Sequence, residues 1–236
     1  MSPAPTIDEL LLGEHPERWA ELGFAVADGC CEIGGVRLRF LTGAGERGIR
    51  GWTLRDLPGV PIDGPVELDG LPTALSELPP RAPAPVHPNG VVAIDHVVAA
   101  SPSLDRSVEA LLRAGLDLRR MRDEPTPGGA PRQAFFRLGA EILELIQEPQ
   151  DSVRSAGGEG HPAREDSIRR GVGEGHPARF WGLALRVEDL DETVRWLDPH
   201  VGEIRPAVQR GRRIASLRRA AGLAVPLAFM SAPPAT

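Results

Sequence analysis

The chain has no lysine, no tyrosine, one asparagine (Asn89) and two cysteines in 236 residues. Its 27 basic residues are therefore all arginine, and the formal net charge is −6. The arginines are scattered, so no dense positive field is built of the kind that nucleic-acid phosphates require. The excess of arginine with alanine, glycine and proline matches the coding bias of a GC-rich genome and is not read as function. Cys30 and Cys31 are adjacent and lack metal-ligand spacing. A vicinal disulfide is strained, so they read as reduced thiols in a strand. No apolar run approaches the roughly 18 residues that a membrane span needs. The start, MSPAPTIDELLLGEH, has no basic region ahead of its short apolar stretch. With 41% hydrophobic residues, the expectation is a globular, cytoplasmic protein whose partner is neither nucleic acid nor membrane.

The informative stretch is 91–149, which reads as strand, amphipathic helix, strand and hairpin. Strand side chains alternate, so Ile94, His96 and Val98 are expected on one face and Val97 and Ala99 on the other. In Glu141–Gln147, Ile142, Glu144 and Ile146 share a face while Leu143 and Leu145 take the opposite one. Ser103 is the expected N-cap of a helix whose apolar stripe is Leu104, Val108, Leu111 and Leu112, with Gly115 ending it. A two-residue turn at Gly139–Ala140 pairs Leu138 with Glu141 and sets Phe135 opposite Glu144. Gln133, Phe135 and Arg137 then line the side that His96 lines.

The IDHVV opening, the SLDRSVEALLRAGL helix and the closing RQAFFRLGAEILELIQEP together resemble one βαβββ module of the vicinal oxygen chelate superfamily. That superfamily includes glyoxalase I, methylmalonyl-CoA epimerase, extradiol dioxygenases and bleomycin-resistance proteins. The resemblance implies an α+β fold in which modules pair into a cupped, glyoxalase-like barrel. It also implies a divalent metal (zinc, nickel, manganese or iron) held by a first-strand histidine and a fourth-strand glutamate of each module. His96 and Glu144 take those positions.

Residues 1–57 look like a degenerate copy, with CCEIGGVRLRFL over FFRLGAEILELI and Gly34 over Gly139. There Glu9 takes the place of His96, and Arg39 that of Glu144. Residues 58–90 are a proline-rich linker, and 150–179 hold an exact repeat of GEGHPAR, at 158–164 and 173–179, read as a duplicated flexible loop. Its His161 and His176 recur because the segment was copied. Residues 180–236 form a C-terminal module in which Asp189 and Glu192 make a capping box and Leu190, Val194 and Leu197 repeat the stripe. Gly182 and Ala228 stand where the central module has His96 and Glu144.

The expected cup thus presents His96 and Glu144 as catalytic pair and metal half-site, with Arg186, Gln133, Phe135 and Met230 around a small-molecule ligand. Two protein ligands anchor a divalent ion weakly. Three arrangements stay open: a homodimer in which two central modules face each other and double the ligands, Glu9 as a third ligand, or a metal-free His96–Glu144 pair. Two functions are weighed. One is glyoxalase-like lyase or isomerase chemistry, metal-assisted in its full form; the other is non-catalytic, drug-sequestering binding.

Overall fold

The computed structural model describes residues 4–43, 45–58, 60, 66, 68–82, 86–125, 129–149 and 176–234. Two sheets carry the chain. The first runs β1 (Thr6–Gly13), helix α1 (Pro16–Glu21), β2 (Val26–Ala27), β3 (Cys30–Ile33), β4 (Val36–Phe40), β5 (Gly48–Arg55) and β6 (Thr73–Ser76), in spatial order β2-β3-β4-β1-β5-β6. The second begins with β7 (Val91–Ser101), helix α2 (Leu104–Arg113), β8 (Asp117–Arg122), β9 (Gln133–Leu138) and β10 (Glu141–Gln147). It continues with β11 (Arg179–Val187), helix α3 (Leu190–Leu197), β12 (Arg205–Pro206), β13 (Arg213–Ser216) and β14 (Leu227–Met230). Its spatial order is β12-β13-β14-β11-β7-β10-β9-β8. Two βαβββ strand sets are thus joined edge to edge through the antiparallel β7–β11 pair. No helix among the described residues is long and apolar enough to cross a membrane.

The central hairpin has the expected register, with Leu138 opposite Glu141 and Phe135 opposite Glu144. Gly139 takes a positive φ of 67°, as does Gly34 at 61° in the β3–β4 turn, a conformation that costs glycine little. The apolar face of the second sheet (Val97, Ala99, Phe136, Leu143, Leu145, Leu183, Leu185) packs under Leu104, Val108 and Leu111 of α2 and against the first sheet. Trp52 of β5 meets Phe180 of β11 edge-on, ring centroids 5.1 Å apart. Burial of this shared face leaves the opposite face of each sheet for other work.

The two sheets share a register pattern. In the second sheet His96, Val97 and Val98 pair with Ala184, Leu183 and Gly182. In the first, Glu9, Leu10 and Leu11 pair with Thr53, Trp52 and Gly51 in the same sense. The Leu183 N–H donates to the Pro226 carbonyl, and the Trp52 N–H to that of Pro72. The strands β5 and β6 therefore stand to β1 as β11 and β14 stand to β7. The stretch read as linker contains β6, and Pro72 at its edge needs no N–H partner.

Four local expectations differ from the structure. Ile94 lies in the buried core with Val97 and Ala99, not on the His96 face, for a reason given below. The Ser103 hydroxyl makes no capping bond; Ser103 instead accepts, through its carbonyl, from the Ser101 hydroxyl. Leu112 is 47% exposed, one step off the stripe. The linker is also pinned, since Asp69 accepts from Arg106 and Ser107 of α2. Asp189 does cap α3, accepting from the Asp191 and Glu192 amides. The first GEGHPAR copy, with His161, and residues 173–175 of the second lie outside the described residues; His176 sits 3.4 Å from Glu148.

Candidate functional site

A β-bulge builds the site. On β7, His96 pairs with Ala184 and Ile94 with Leu185, so Asp95 is the extra residue opposite no partner. A bulge breaks strict alternation and re-aims side chains. Ile94 is thereby sent into the core, and Asp95 and His96, neighbours in sequence, come together. His96 Nδ1 lies 3.0 Å from Asp95 Oδ2, and Nε2 lies 3.1 Å from Glu144 Oε2. The second contact follows from the parallel β7–β10 register, which sets Glu144 beside Val98, two residues along from His96.

A further ring of partners holds these three. Arg212 Nη2 donates to Asp95 Oδ1 at 2.6 Å, while its Nε donates to the Ser231 carbonyl. Gln133 Nε2 donates to Glu144 Oε1. The buried carbonyl oxygen of Gln133 has no donor among the described residues, an unmet acceptor beside Glu144. Burial disfavours a charged imidazole, but hydrogen bonds to Asp95 and Glu144 and their charges outweigh it, raising His96 to about 9. Burial likewise opposes ionisation of Asp95, but the bonds from His96 and Arg212 bring it down to about 2. At neutral pH His96 is an imidazolium donating from both nitrogens.

The cup carries an apolar patch of Val98, Ala100, Ala130 and Ile146, with Trp181 packed on it. Trp181 is itself a bulge residue, between the Phe180–Ala99 and Gly182–Val98 pairs.

The residues present do not fit the metal centre that the resemblance implies. Both ring nitrogens of His96 are engaged, and among the described residues no three His, Cys, Asp or Glu groups converge as ligands. About a pseudo-two-fold through the Val97–Leu183 pair, His96 exchanges with Gly182 and Glu144 with Ala228. A Cβ at Gly182 would sit 2.7 Å from the Pro226 carbonyl oxygen, so no ligating side chain fits there without a backbone shift. Glu9 is no third ligand: it lies in the other sheet, bound by Arg39 at 2.8 Å. The edge through which two central modules would face each other is taken by β11 of the same chain.

Of the other expected site residues, Gln133 and Phe135 flank Glu144 as read from the hairpin. Met230 is 1% exposed and paired with Arg186. Arg186 makes no bond to His96 or Glu144. Burial raises Glu141, and the charges of Arg186 and Arg55 partly offset that rise. Asp95 and Arg212 were not found from sequence. Neither carried a distinctive signal, since the dipeptide Ile-Asp occurs at 7–8, 62–63 and 94–95 and Arg212 lies within RGRR.

No family model matches the chain, and no curated protein matches it. Among solved structures, a xylose isomerase-like TIM barrel/4-hydroxyphenylpyruvate dioxygenase fusion protein aligns with 100% of this chain and 51% of its own, at 13% identity and a TM-score of 0.60. Methylmalonyl-CoA epimerase from Mycobacterium tuberculosis aligns at 20% identity over 61% of this chain and 91% of its own, TM-score 0.46. The Streptomyces coelicolor epimerase gives 18%, 61% and 96%, TM-score 0.46. Two βαβββ strand sets joined through β7 and β11 into one cupped sheet, with a whole-chain likeness to the dioxygenase fusion, show that this chain has the vicinal oxygen chelate fold.

Proposed function

We propose that the chain is a glyoxalase-like protein that takes a small molecule into the concave face of the eight-stranded sheet and moves a proton there without a resident metal. One observation carries this reading: the Asp95–His96–Glu144 chain of hydrogen bonds, which commits both imidazole nitrogens and leaves a carboxylate at its open end. A substrate oxygen entering beside Glu144 takes over the Nε2–H of His96. Glu144 then accepts a proton from the carbon next to a carbonyl, and the negative charge that develops on the oxygen is met by the imidazolium. Return of the proton at a neighbouring atom gives an isomerase; loss of a leaving group gives a lyase. The unmet acceptor on Gln133 favours a ligand that carries an O–H or N–H donor.

A second reading, a drug-sequestering binding protein, draws on the opposite wall. Gly182, Ala184 and Ala228 bring no polar side chain to it, and the apolar patch under Trp181 suits a ligand held unchanged. Solvent-deuterium exchange into a panel of small hydroxycarbonyl compounds separates the two. Exchange that is abolished in Glu144→Gln supports proton transfer. Binding without exchange, undiminished in Glu144→Gln, supports sequestration.

A further inference from the structure

The face of the first sheet that carries Glu9 and Leu11 is the counterpart of the His96 face, rebuilt with arginine. Glu9 and Arg37 pair in register as His96 and Ile142 do, and Leu11 and Arg39 as Val98 and Glu144 do. Even the bulges recur. Asp8 is the unpaired residue between the Ile7–Leu54 and Glu9–Thr53 pairs, as Asp95 is on β7. Arg50 is the extra residue between the Leu11–Gly51 and Leu12–Ile49 pairs, as Trp181 is on β11. Where the second sheet sets Glu144 and Trp181 about Val98, the first sets Arg39 and Arg50 about Leu11.

These arginines have donors to spare. Arg39 is 51% exposed and spends Nε and Nη2 on one oxygen of Glu9, while its Nη1 makes no hydrogen bond among the described residues. Arg50 is exposed and makes no hydrogen bond or ion pair among the described residues. A Cβ on Gly13 would lie 3.3 Å from Arg50 Cδ, which puts the stem of Arg50 on the face that Gly13 shares with Leu11 and Glu9, while its guanidinium lies beside Gly45. Arg37, in the next row, uses only Nε on Glu32. Arg55 and Arg81 both bind Asp8. Five arginines thus meet three acids, Asp8, Glu9 and Glu32, on a protein whose net charge is negative.

We propose that this face is a second binding site, independent of the His96 cup, for a small oxyanion: a carboxylate or phosphate group seated over Leu11 between Arg39 and Arg50. Guanidinium N–H pairs match the planar or tetrahedral oxygens of such groups. The attraction weakens as salt rises because the site is open to solvent.

Isothermal titration of the full chain with inorganic phosphate and with succinate tests this, with thermal melts to show that each variant is folded. Arg50→Gln, at an exposed position, is expected to weaken binding about tenfold, the effect of one charge-assisted donor. Glu9→Gln keeps the side-chain shape but releases Arg39, so it is expected to tighten binding by severalfold. His96→Gln and Glu144→Gln should leave it unchanged. Preference for succinate or for phosphate assigns the group, and either supports the site. No binding of either anion, binding untouched by Arg50→Gln and Glu9→Gln, or binding lost in Glu144→Gln would overturn the proposal.

Discussion

Asp95 and His96 are consecutive residues on a strand, yet their side chains meet, Oδ2 to Nδ1 at 3.0 Å, because the strand bulges between them. A regular strand would point them to opposite faces. The bulge turns a lone histidine into the middle of a hydrogen-bonded row, with Arg212 behind it and Glu144 in front.

Removing the back of that row is expected to be felt at its centre. In Asp95→Asn the imidazole loses one of its two carboxylate partners, and its titration should fall from about 9 toward its ordinary range. Arg212→Met leaves Asp95 with His96 alone and should cost about 1–3 kcal/mol of stability, the usual cost of stranding one partner of a largely buried charged hydrogen bond. Urea unfolding of the two variants checks the stability, and histidine NMR checks the titration.

Stability should depend on pH in a definite sense. His96 is raised in the folded state, so its contribution is fully present below roughly 6.5 and is lost as pH climbs through about 9. Asp95 is lowered, so its contribution is present above roughly 3.8 and is lost as pH falls through about 2. The stability gap between the wild type and His96→Gln should therefore be widest near pH 4–6.5 and shrink by about 3 kcal/mol toward pH 9. A gap that widens with rising pH would contradict the assignment.

The matched registers of the two sheets make their own forecast. A Cβ at Gly182 would lie 2.7 Å from the Pro226 carbonyl oxygen, and one at Gly51 2.9 Å from that of Pro72. Gly182→Ala and Gly51→Ala should each destabilise by about 1–3 kcal/mol, because the obstacle is backbone that must move. Equal tolerance at both sites would mean that the two strand pairs do not approach as closely as described.

Metal content provides a further check. Protein purified without an affinity tag should hold far less than one divalent ion per chain by elemental analysis, because His96 and Glu144 are spent on each other and no third ligand converges among the described residues. A stoichiometric ion lost in Glu144→Ala would reverse that reading.

Much of the site was legible from alternation alone. The turn at Gly139–Ala140 set the hairpin register, and that register places Gln133 and Phe135 beside Glu144. The alternation failed at Ile94 and Asp95, because a bulge is decided by the pairing partner, β11, about ninety positions away in sequence. Arg212 was hidden for a similar reason: it reaches Asp95 only after β13 and β14 have closed against β11. Residues 58–90 misled in the opposite way. Proline density excludes an interior strand, yet β6 is an edge strand whose entry residue, Pro72, contributes only its carbonyl. Leu112 shows the limit of stripe reading, since the helix buries Leu111 at 0% and leaves its neighbour in solvent.

The account turns on His96 being a cation clasped by two carboxylates inside the cup. The direct measurement is the pH titration of its imidazole resonances in the full-length protein, assigned by comparison with His96→Gln. A midpoint near 9, falling in both Asp95→Asn and Glu144→Gln, is the expected result. A midpoint at or below the ordinary histidine value, or one that neither substitution moves, would contradict it.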